Sequence, residues 1–148
     1  MTDLPHVKEL VALDHGLSVV VTMRPDNTPQ TTVVNAGVLP HPLTGEEAVA
    51  FVSAGRARKL ANLRSDPAIT VLVRAGWQWA AVEGTAELIG PDDPNPDVGD
   101  ERLRLLLREI FTAAGGTHDD WDTYDRVMRE ERRTAVFVTP NRIYSNPT

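Results

Sequence analysis

Short hydrophobic segments separated by turn residues fill the first part of the chain, a pattern typical of β-strands. The predicted strands are residues 17–23, 30–39, 48–53, 68–74 and 77–89. Pro25-Asp26-Asn27-Thr28-Pro29 predicts a hairpin turn after the first strand, and Ala75-Gly76 predicts the turn before the fifth. Gly84 lies inside the fifth strand and predicts a β-bulge or the close approach of another backbone.

Helical spacing of hydrophobic residues appears in four other segments. They are residues 5–15, 56–64, 101–114 and 120–131. A last strand is predicted at 134–139, with a short extended segment at 142–145. Strands come first, then a helical pair, then strands again, without the βαβ alternation of a parallel sheet. We therefore predict a mainly β fold with flanking helices, an antiparallel barrel that forms a single domain over residues 1–148.

Composition is typical of a globular protein and excludes several other classes. The chain has 148 residues, of which 41% are hydrophobic and 24% charged, as in a globular domain with its own core. No hydrophobic run approaches the roughly 20 residues that span a bilayer. The first six residues lack the features of a secretory signal, so we expect a cytoplasmic protein with no membrane partner. The absence of cysteine excludes disulfides, iron–sulfur ligation and a cysteine nucleophile.

Charge is distributed unevenly along the chain. The net charge of -6 disfavours nucleic-acid binding. Residues 53–65 depart from this balance, because they contain four cations and no acid. These cations are Arg56, Arg58, Lys59 and Arg64.

This basic segment is predicted to form the second helix, and its residues can be placed on a helical wheel. Arg58, Lys59 and Asn62 fall within an arc of roughly 100°. Ser53 lies just before the helix start, where unpaired backbone N–H groups and nearby cations favour a phosphate. A solvated face of basic side chains explains the same spacing, and the spacing alone does not identify an anion.

The run from Ser53 to Pro67, SAGRARKLANLRSDP, resembles the phosphate-binding helix of the pyridoxamine 5′-phosphate oxidase-like superfamily. The resemblance is closest to the deazaflavin (coenzyme F420)-dependent reductase branch of that superfamily. Further similarities follow in the family's order: Pro29-Gln30, Gly76-Trp77-Gln78-Trp79, Glu83-Gly84-Thr85-Ala86, Trp121-Asp122 with Tyr124, and Arg132-Arg133.

The resemblance implies an FMN-binding split β-barrel that forms a homodimer with two cofactor sites at its interface. It implies that Lys59 and Arg58 hold the cofactor phosphate, and that Arg133 meets an acidic cofactor tail. The aromatic residues would come from the partner subunit, although Trp77 and Trp79 also suit core or interface packing. The complete set of implied cofactor-binding residues is Gln30, Thr31, Thr32, Ser53, Arg56, Arg58, Lys59, Asn62, Trp77 and Trp79.

The resemblance also implies an enzyme, a deazaflavin-dependent oxidoreductase that transfers hydride from the reduced cofactor to an electron-poor small molecule. Two alternatives stay open: an FMN-dependent oxidoreductase, and a non-catalytic carrier of flavin or haem. The number of cations favours the deazaflavin, whose phosphodiester and glutamate tail need an extended basic groove. No residue is assigned to catalysis, and Tyr144 is only a candidate proton donor.

The histidines bear on two other functions. Pyridoxamine phosphate oxidases bind their substrate with an Arg and a His near the C-terminus, and no histidine follows His118 here, which disfavours vitamin B6 oxidation. His6, His15, His41 and His118 show no metal-ligand spacing, so no metal is expected. His118-Asp119-Asp120 is more typical of a helix N-cap than of a metal site.

Overall fold

Six antiparallel strands close into a barrel in the computed structural model, which describes residues 3–146. Around the barrel the order is β1-β2-β3-β6-β5-β4, with β4 pairing back to β1. The predicted mainly β class with flanking helices is confirmed. The strands are β1 (Leu17–Met23), β2 (Pro29–Pro40), β3 (Glu47–Ser53), β4 (Ala68–Ala75), β5 (Gln78–Ile89) and β6 (Thr134–Ser145).

The four predicted helices are all present. They are α1 (Leu4–Leu13), α2 (Arg58–Ser65), α3 (Asp100–Ala113) and α4 (Trp121–Glu130). The Asp120 carboxylate accepts a hydrogen bond from the Thr123 backbone N–H at 3.1 Å, which confirms the predicted N-cap of α4. None of the helices in the described range is long and apolar enough to cross a membrane.

Side chains from two helices complete the barrel's hydrophobic interior. α1 contributes Val7, Leu10 and Val11, and α2 contributes Leu60 and Leu63. Both helices are therefore fixed to the barrel by burial of one apolar stripe. A second buried cluster joins α3 to β2, β3 and β6 on the outside of the barrel.

The last two predicted strand segments form one strand, β6, which is a correction to the sequence prediction. Glu83 pairs with Arg142 while Gly84 pairs with Pro140, so Asn141 is an extra residue in the ladder. A Cβ atom on Gly84 would lie 2.1 Å from the Thr139 carbonyl oxygen, which explains the glycine. The bulge predicted at Gly84 is confirmed, and it bends β6 without ending it.

The β4–β5 turn differs from the prediction by one residue. β5 begins at Gln78, and Trp77 belongs to the turn with Gly76. The indole of Trp77 is 95% exposed, whereas Trp79 packs edge-on against Tyr144 with ring centroids 6.1 Å apart. The predicted strand 77–89 is therefore wrong at its first residue, because only Trp79 of the two tryptophans lies in β5.

Candidate cofactor-binding site

A cavity of about 590 Å³ lies beside the start of α2. Its walls come from β2, the β3–α2 connection, the last turn of α3 and the inner face of α4. The lining residues are His15, Val33, Val34, Asn35, Val52, Ser53, Ala54, Ala57, Lys59, Ile110, Phe111, Ala114, Gly116, Tyr124, Met128 and Arg133. Hydrophobic and aromatic walls with a few polar groups are typical of a small-molecule site.

Lys59 is the most informative polar group in this cavity. Burial lowers the pKa of its ammonium, and the nearby Arg133 guanidinium lowers it further. Arg133 is itself bound by the Glu131 carboxylate at 2.7 Å, whereas Lys59 has no acidic partner within residues 3–146. A half-buried cation without a counter-ion is costly, and an anionic ligand in the cavity would offset that cost.

The local structure at the start of α2 adds to this positive potential. Ala57 occupies the N-cap position and no side chain accepts a hydrogen bond from the first turn. Helices leave their first backbone N–H groups unpaired, and the helix dipole places partial positive charge there. Ser53 lies at the end of β3, where its buried hydroxyl donates to the Ala54 carbonyl at 3.1 Å. The site thus combines free N–H groups with an unpaired ammonium.

Three of the four cations predicted at this helix have no ion pair among residues 3–146 and could bind an anionic ligand. Arg56 lies in the turn before α2, and Arg58 is the first residue of the helix. Neither has an ion pair or side-chain hydrogen bond in the described part of the chain. Arg64 differs, because its guanidinium makes two hydrogen bonds to the Asp93 carboxylate, at 2.7 and 3.0 Å. Arg64 is therefore neutralised by Asp93 and does not contribute to the positive charge predicted at this helix.

Asn62 does not share the outward arc of Arg58 and Lys59, which is a second correction at this helix. It is 1% exposed, and its amide nitrogen donates to Gln30 Oε1 at 2.9 Å and Thr22 Oγ1 at 3.1 Å. An amide with partners inside the barrel can be buried, so the buried face of α2 includes this polar residue.

The buried position of Asn62 leads to a stability prediction. We expect Asn62→Ala to lower the free energy of unfolding by about 1–3 kcal/mol, because Gln30 and Thr22 lose a buried donor. Urea denaturation of the ligand-free protein measures this change. Ala61→Ser is the matched control, since Ala61 is the exposed neighbour on the same helix. Equal stability of Asn62→Ala and wild type would contradict a structural role for the amide.

The ten predicted binding residues are not brought together in one subunit. Only Ser53 and Lys59 line the cavity. Thr31 is exposed on the outer face of β2, and Thr32 is half-buried with a hydroxyl that has no hydrogen-bond partner among residues 3–146. Gln30 joins Asn62 inside the barrel. Arg56, Arg58, Trp77 and Trp79 also lie outside the cavity lining.

The family comparison agrees with this architecture. The profile described as pyridoxamine 5′-phosphate oxidase matches residues 4–145 of the chain. The chain belongs to the pyridoxamine 5′-phosphate oxidase family. The resemblance inferred from residues 53–67 is thereby confirmed at the level of the superfamily.

Solved structures of similar fold include proteins with different ligands. An F420 reductase is 18% identical, with a TM-score of 0.59, and the match covers 93% of this chain and 94% of that one. A pyridoxamine 5′-phosphate oxidase-related, FMN-binding protein from Nostoc punctiforme PCC 73102 is 13% identical, with a TM-score of 0.64 and coverages of 96% and 81%. The haem storage protein HutZ from Vibrio cholerae is 12% identical, with a TM-score of 0.57 and coverages of 97% and 94%. At these identities the likeness shows a shared fold.

Tyr144, the candidate proton donor, lies outside the cavity of this pyridoxamine 5′-phosphate oxidase family member. Its hydroxyl donates to Glu83 Oε2 at 2.8 Å, and this hydrogen bond raises the pKa of the phenol. A phenol held by a carboxylate in this way is a weaker acid than a free tyrosine. The geometry therefore gives Tyr144 no role at the cavity of this subunit.

Several cavity residues of this family member were not found from the sequence. Phe111, Tyr124 and Met128 come from α3 and α4, far along the chain from the basic helix. The Tyr124 hydroxyl donates to the Leu107 carbonyl at 3.0 Å, and burial raises the pKa of this phenol to about 12. The spacing of Tyr124 and Met128 places both on one helix face, but the sequence does not show what that face covers.

Proposed function

We propose that the chain is a deazaflavin (coenzyme F420)-dependent oxidoreductase that reduces electron-poor small molecules. The observation that carries the proposal is the unpaired, half-buried ammonium of Lys59 in a largely hydrophobic cavity beside the start of α2. Such a site suits a ligand with a phosphoryl group at one end and a planar aromatic system at the other. The family to which the chain belongs supports a flavin-type ligand.

The residues present fit such a cofactor. Lys59, with Arg58 and the N–H groups at the start of α2, would hold the phosphoryl group. Hydrophobic side chains from three elements, including Val33, Val52 and Phe111, would contact the ring. The reduced cofactor would supply a hydride, and the protein would contribute binding, orientation and exclusion of water.

An extended route for anionic groups favours the deazaflavin over FMN. The main cavity shares Met128 and Arg133 with a second cleft of about 410 Å³ between α3 and α4. Arg129 lines that cleft and has no ion pair in the described part of the chain. Three acids also line it; Glu101 and Asp125 are paired with Arg104, and Asp100 has no ion pair among residues 3–146. A cofactor with a glutamate tail would pass Arg133 and reach Arg129, whereas the single terminal phosphate of FMN needs only the start of α2.

The proposal includes a homodimer formed through the outer face of β1 and β2. Val19 pairs with Val33 across these strands, so both side chains lie on that outer face, and Val33 is 63% exposed. Val33 also lines the cavity, so a partner on this face would lie against the cofactor site. We assign the partner's β4–β5 turn to the ring end of the site, where Trp77 and Trp79 would contact the cofactor.

A titration with both cofactors tests the proposal. We expect F420 fluorescence to be quenched on addition of the protein, with a Kd at least about tenfold lower than that for FMN, because only F420 carries the anionic tail. FMN binding without a response to F420 would contradict the choice of cofactor.

Turnover separates an enzyme from a carrier of the same fold. Chemically reduced F420 should be reoxidised steadily in the presence of conjugated enones or quinones. Tight binding without reoxidation by any acceptor would support a flavin carrier. A haem titration gives the remaining alternative its own signal, because a haem carrier would develop a sharp Soret band.

A further inference from the structure

His15 lies between α1 and β1 and has a left-handed backbone conformation. It follows α1 and has a φ of 53°, in the left-handed region, where His is enriched with Asn and Asp among residues other than glycine. Its carbonyl accepts a hydrogen bond from Asn35 Nδ2 at 2.8 Å. Gly16 follows, and a Cβ atom there would lie 1.8 Å from the Ala36 carbonyl oxygen. The His15 backbone is thus held against β2.

The imidazole of His15 has a defined tautomer. Its Nδ1 lies 3.2 Å from the Gly115 carbonyl oxygen at the end of α3. Because a carbonyl oxygen can only accept, Nδ1 must carry the proton of this hydrogen bond. Nε2 has no hydrogen-bond partner among residues 3–146, and the residue lines the main cavity. His15 therefore presents a ring nitrogen that can give or take a proton.

The other proton-bearing groups of the cavity are already engaged. The Tyr124 hydroxyl is bound to the Leu107 carbonyl, and the Ser53 hydroxyl is bound to the Ala54 carbonyl. Lys59 and Arg133 form the cationic end assigned above to the phosphoryl group. His15 comes from a different wall, the α1–β1 turn beside the end of α3. A proton can be transferred there without disturbing phosphate binding.

We propose that His15 is the general acid of the reductase when a conjugated carbonyl compound is reduced. This inference rests on the proposed function. The β-carbon of the C=C–C=O unit accepts hydride from the reduced cofactor, and the displaced π electrons give an enolate. The imidazolium of His15 then donates its Nε2 proton to the α-carbon, while Nδ1 keeps its own proton in the hydrogen bond to the Gly115 carbonyl. Water returns a proton to Nε2 and completes the cycle.

The first test removes the imidazole without disturbing the backbone. His15→Gly suits the left-handed conformation and leaves space for a free imidazole molecule. We expect its rate of enone reduction to fall about 100-fold and to recover at least about tenfold on addition of imidazole. His15→Asn retains both the left-handed conformation and a donor for the Gly115 carbonyl, so it should show the same loss of rate. His6→Asn, a histidine on α1 outside the cavity, is the matched control and should retain the wild-type rate.

Two further measurements distinguish proton donation from a structural role. The Kd of His15→Gly for F420 should match wild type within about twofold, because phosphate binding involves Lys59 at the other wall. Reduction of dichlorophenolindophenol, which needs no proton on carbon, should be unaffected. An equal loss of rate with the dye and with enones would overturn the assignment.

The tautomer can be observed directly in the ligand-free protein. The 15N resonances of His15 at high pH should show a protonated Nδ1 and an unprotonated Nε2. The opposite tautomer would overturn the inference. Wild-type F420 binding with unchanged rates in His15→Gly would also overturn it while leaving the proposed function intact. Absence of F420 binding by the wild type would overturn the proposed function, and this inference with it.

Discussion

Lys59→Ala should weaken F420 binding about 30-fold, an effect of about 2 kcal/mol. The variant removes the unpaired cation that faces the proposed phosphoryl group, and a charge-assisted hydrogen bond has about this strength. The ligand-free protein should keep its melting temperature or gain slightly. Lys59 there has no acidic partner, and Arg133 lies near enough to lower the pKa of its ammonium. Fluorescence titration and thermal denaturation measure the two quantities.

The control for this variant lies on the same helix. Arg64→Ala removes a cation that is bound by Asp93 and lies outside the cavity lining. Its affinity for F420 should equal that of wild type within about twofold, because its charge is already neutralised. If both variants lose affinity equally, the effect is one of overall charge. If Lys59→Ala unfolds readily and still binds F420 normally, Lys59 is structural.

Asp125→Asn should lower the free energy of unfolding at pH 7 by about 2 kcal/mol and the melting temperature by about 6 °C. Asp125 on α4 accepts hydrogen bonds from Arg104 at 2.8 Å and Arg108 at 2.9 Å, both on α3. Breaking a fully buried ion pair costs about 3–5 kcal/mol, but water reaches both arginines and reduces the loss. Urea denaturation measures it.

The pH dependence of this difference follows from the pKa of Asp125. The Arg108 hydrogen bond, followed by that of Arg104, holds this pKa below its ordinary value of 3.8. The stabilisation is therefore complete above about pH 4, and it is lost as the pH falls through the lower, folded-state pKa. Wild type and Asp125→Asn should become equally stable in strong acid. Glu130→Gln, an exposed acid paired with Arg126 on α4, should change the melting temperature by less than about 1 °C.

The strands of the fold were predictable because burial on one or both faces leaves a clear signal in the sequence. β1 has the bounds that its β-branched run predicts, and β2 to β5 differ from their predicted bounds by one residue at one end or both. The break predicted between 139 and 142 was wrong for a reason that lies on another strand. Gly84 on β5 permits the bulge that lets β6 continue past Pro140. A single chain segment does not show what its partner strand allows.

The orientation of Asn62 on the basic helix could not be predicted from a helical wheel. The wheel places Asn62 on the same side as Arg58 and Lys59. Whether a polar side chain is buried, however, depends on hydrogen-bond partners that a wheel does not show. Gln30 and Thr22 accept from the Asn62 amide inside the barrel, and both lie more than thirty residues away in sequence. The loss of Arg64 to Asp93 has the same cause, since the acid belongs to a loop after β5. Only the tertiary fold brings these partners together.

The candidate site was predictable in its cationic part and not in its walls. Family resemblance pointed to Lys59 and Ser53, which do line the cavity. The contributions of Phe111 and Met128 depend on how α3 and α4 pack on the barrel, and neither residue has a local signature. His15 was considered in the sequence only as a metal ligand. Its left-handed φ and its contact with Gly115 are properties of the fold.

The central claim is that the start of α2 and the ammonium of Lys59 bind the phosphoryl group of a redox cofactor. Backbone amide NMR of the wild-type protein titrated with F420 tests it most directly. The account predicts the largest shifts at Ala57, Arg58 and Lys59, with further shifts at Val33 and Asn35 on β2. Shifts confined to other parts of the barrel, with the amides of α2 unchanged at saturation, would contradict it.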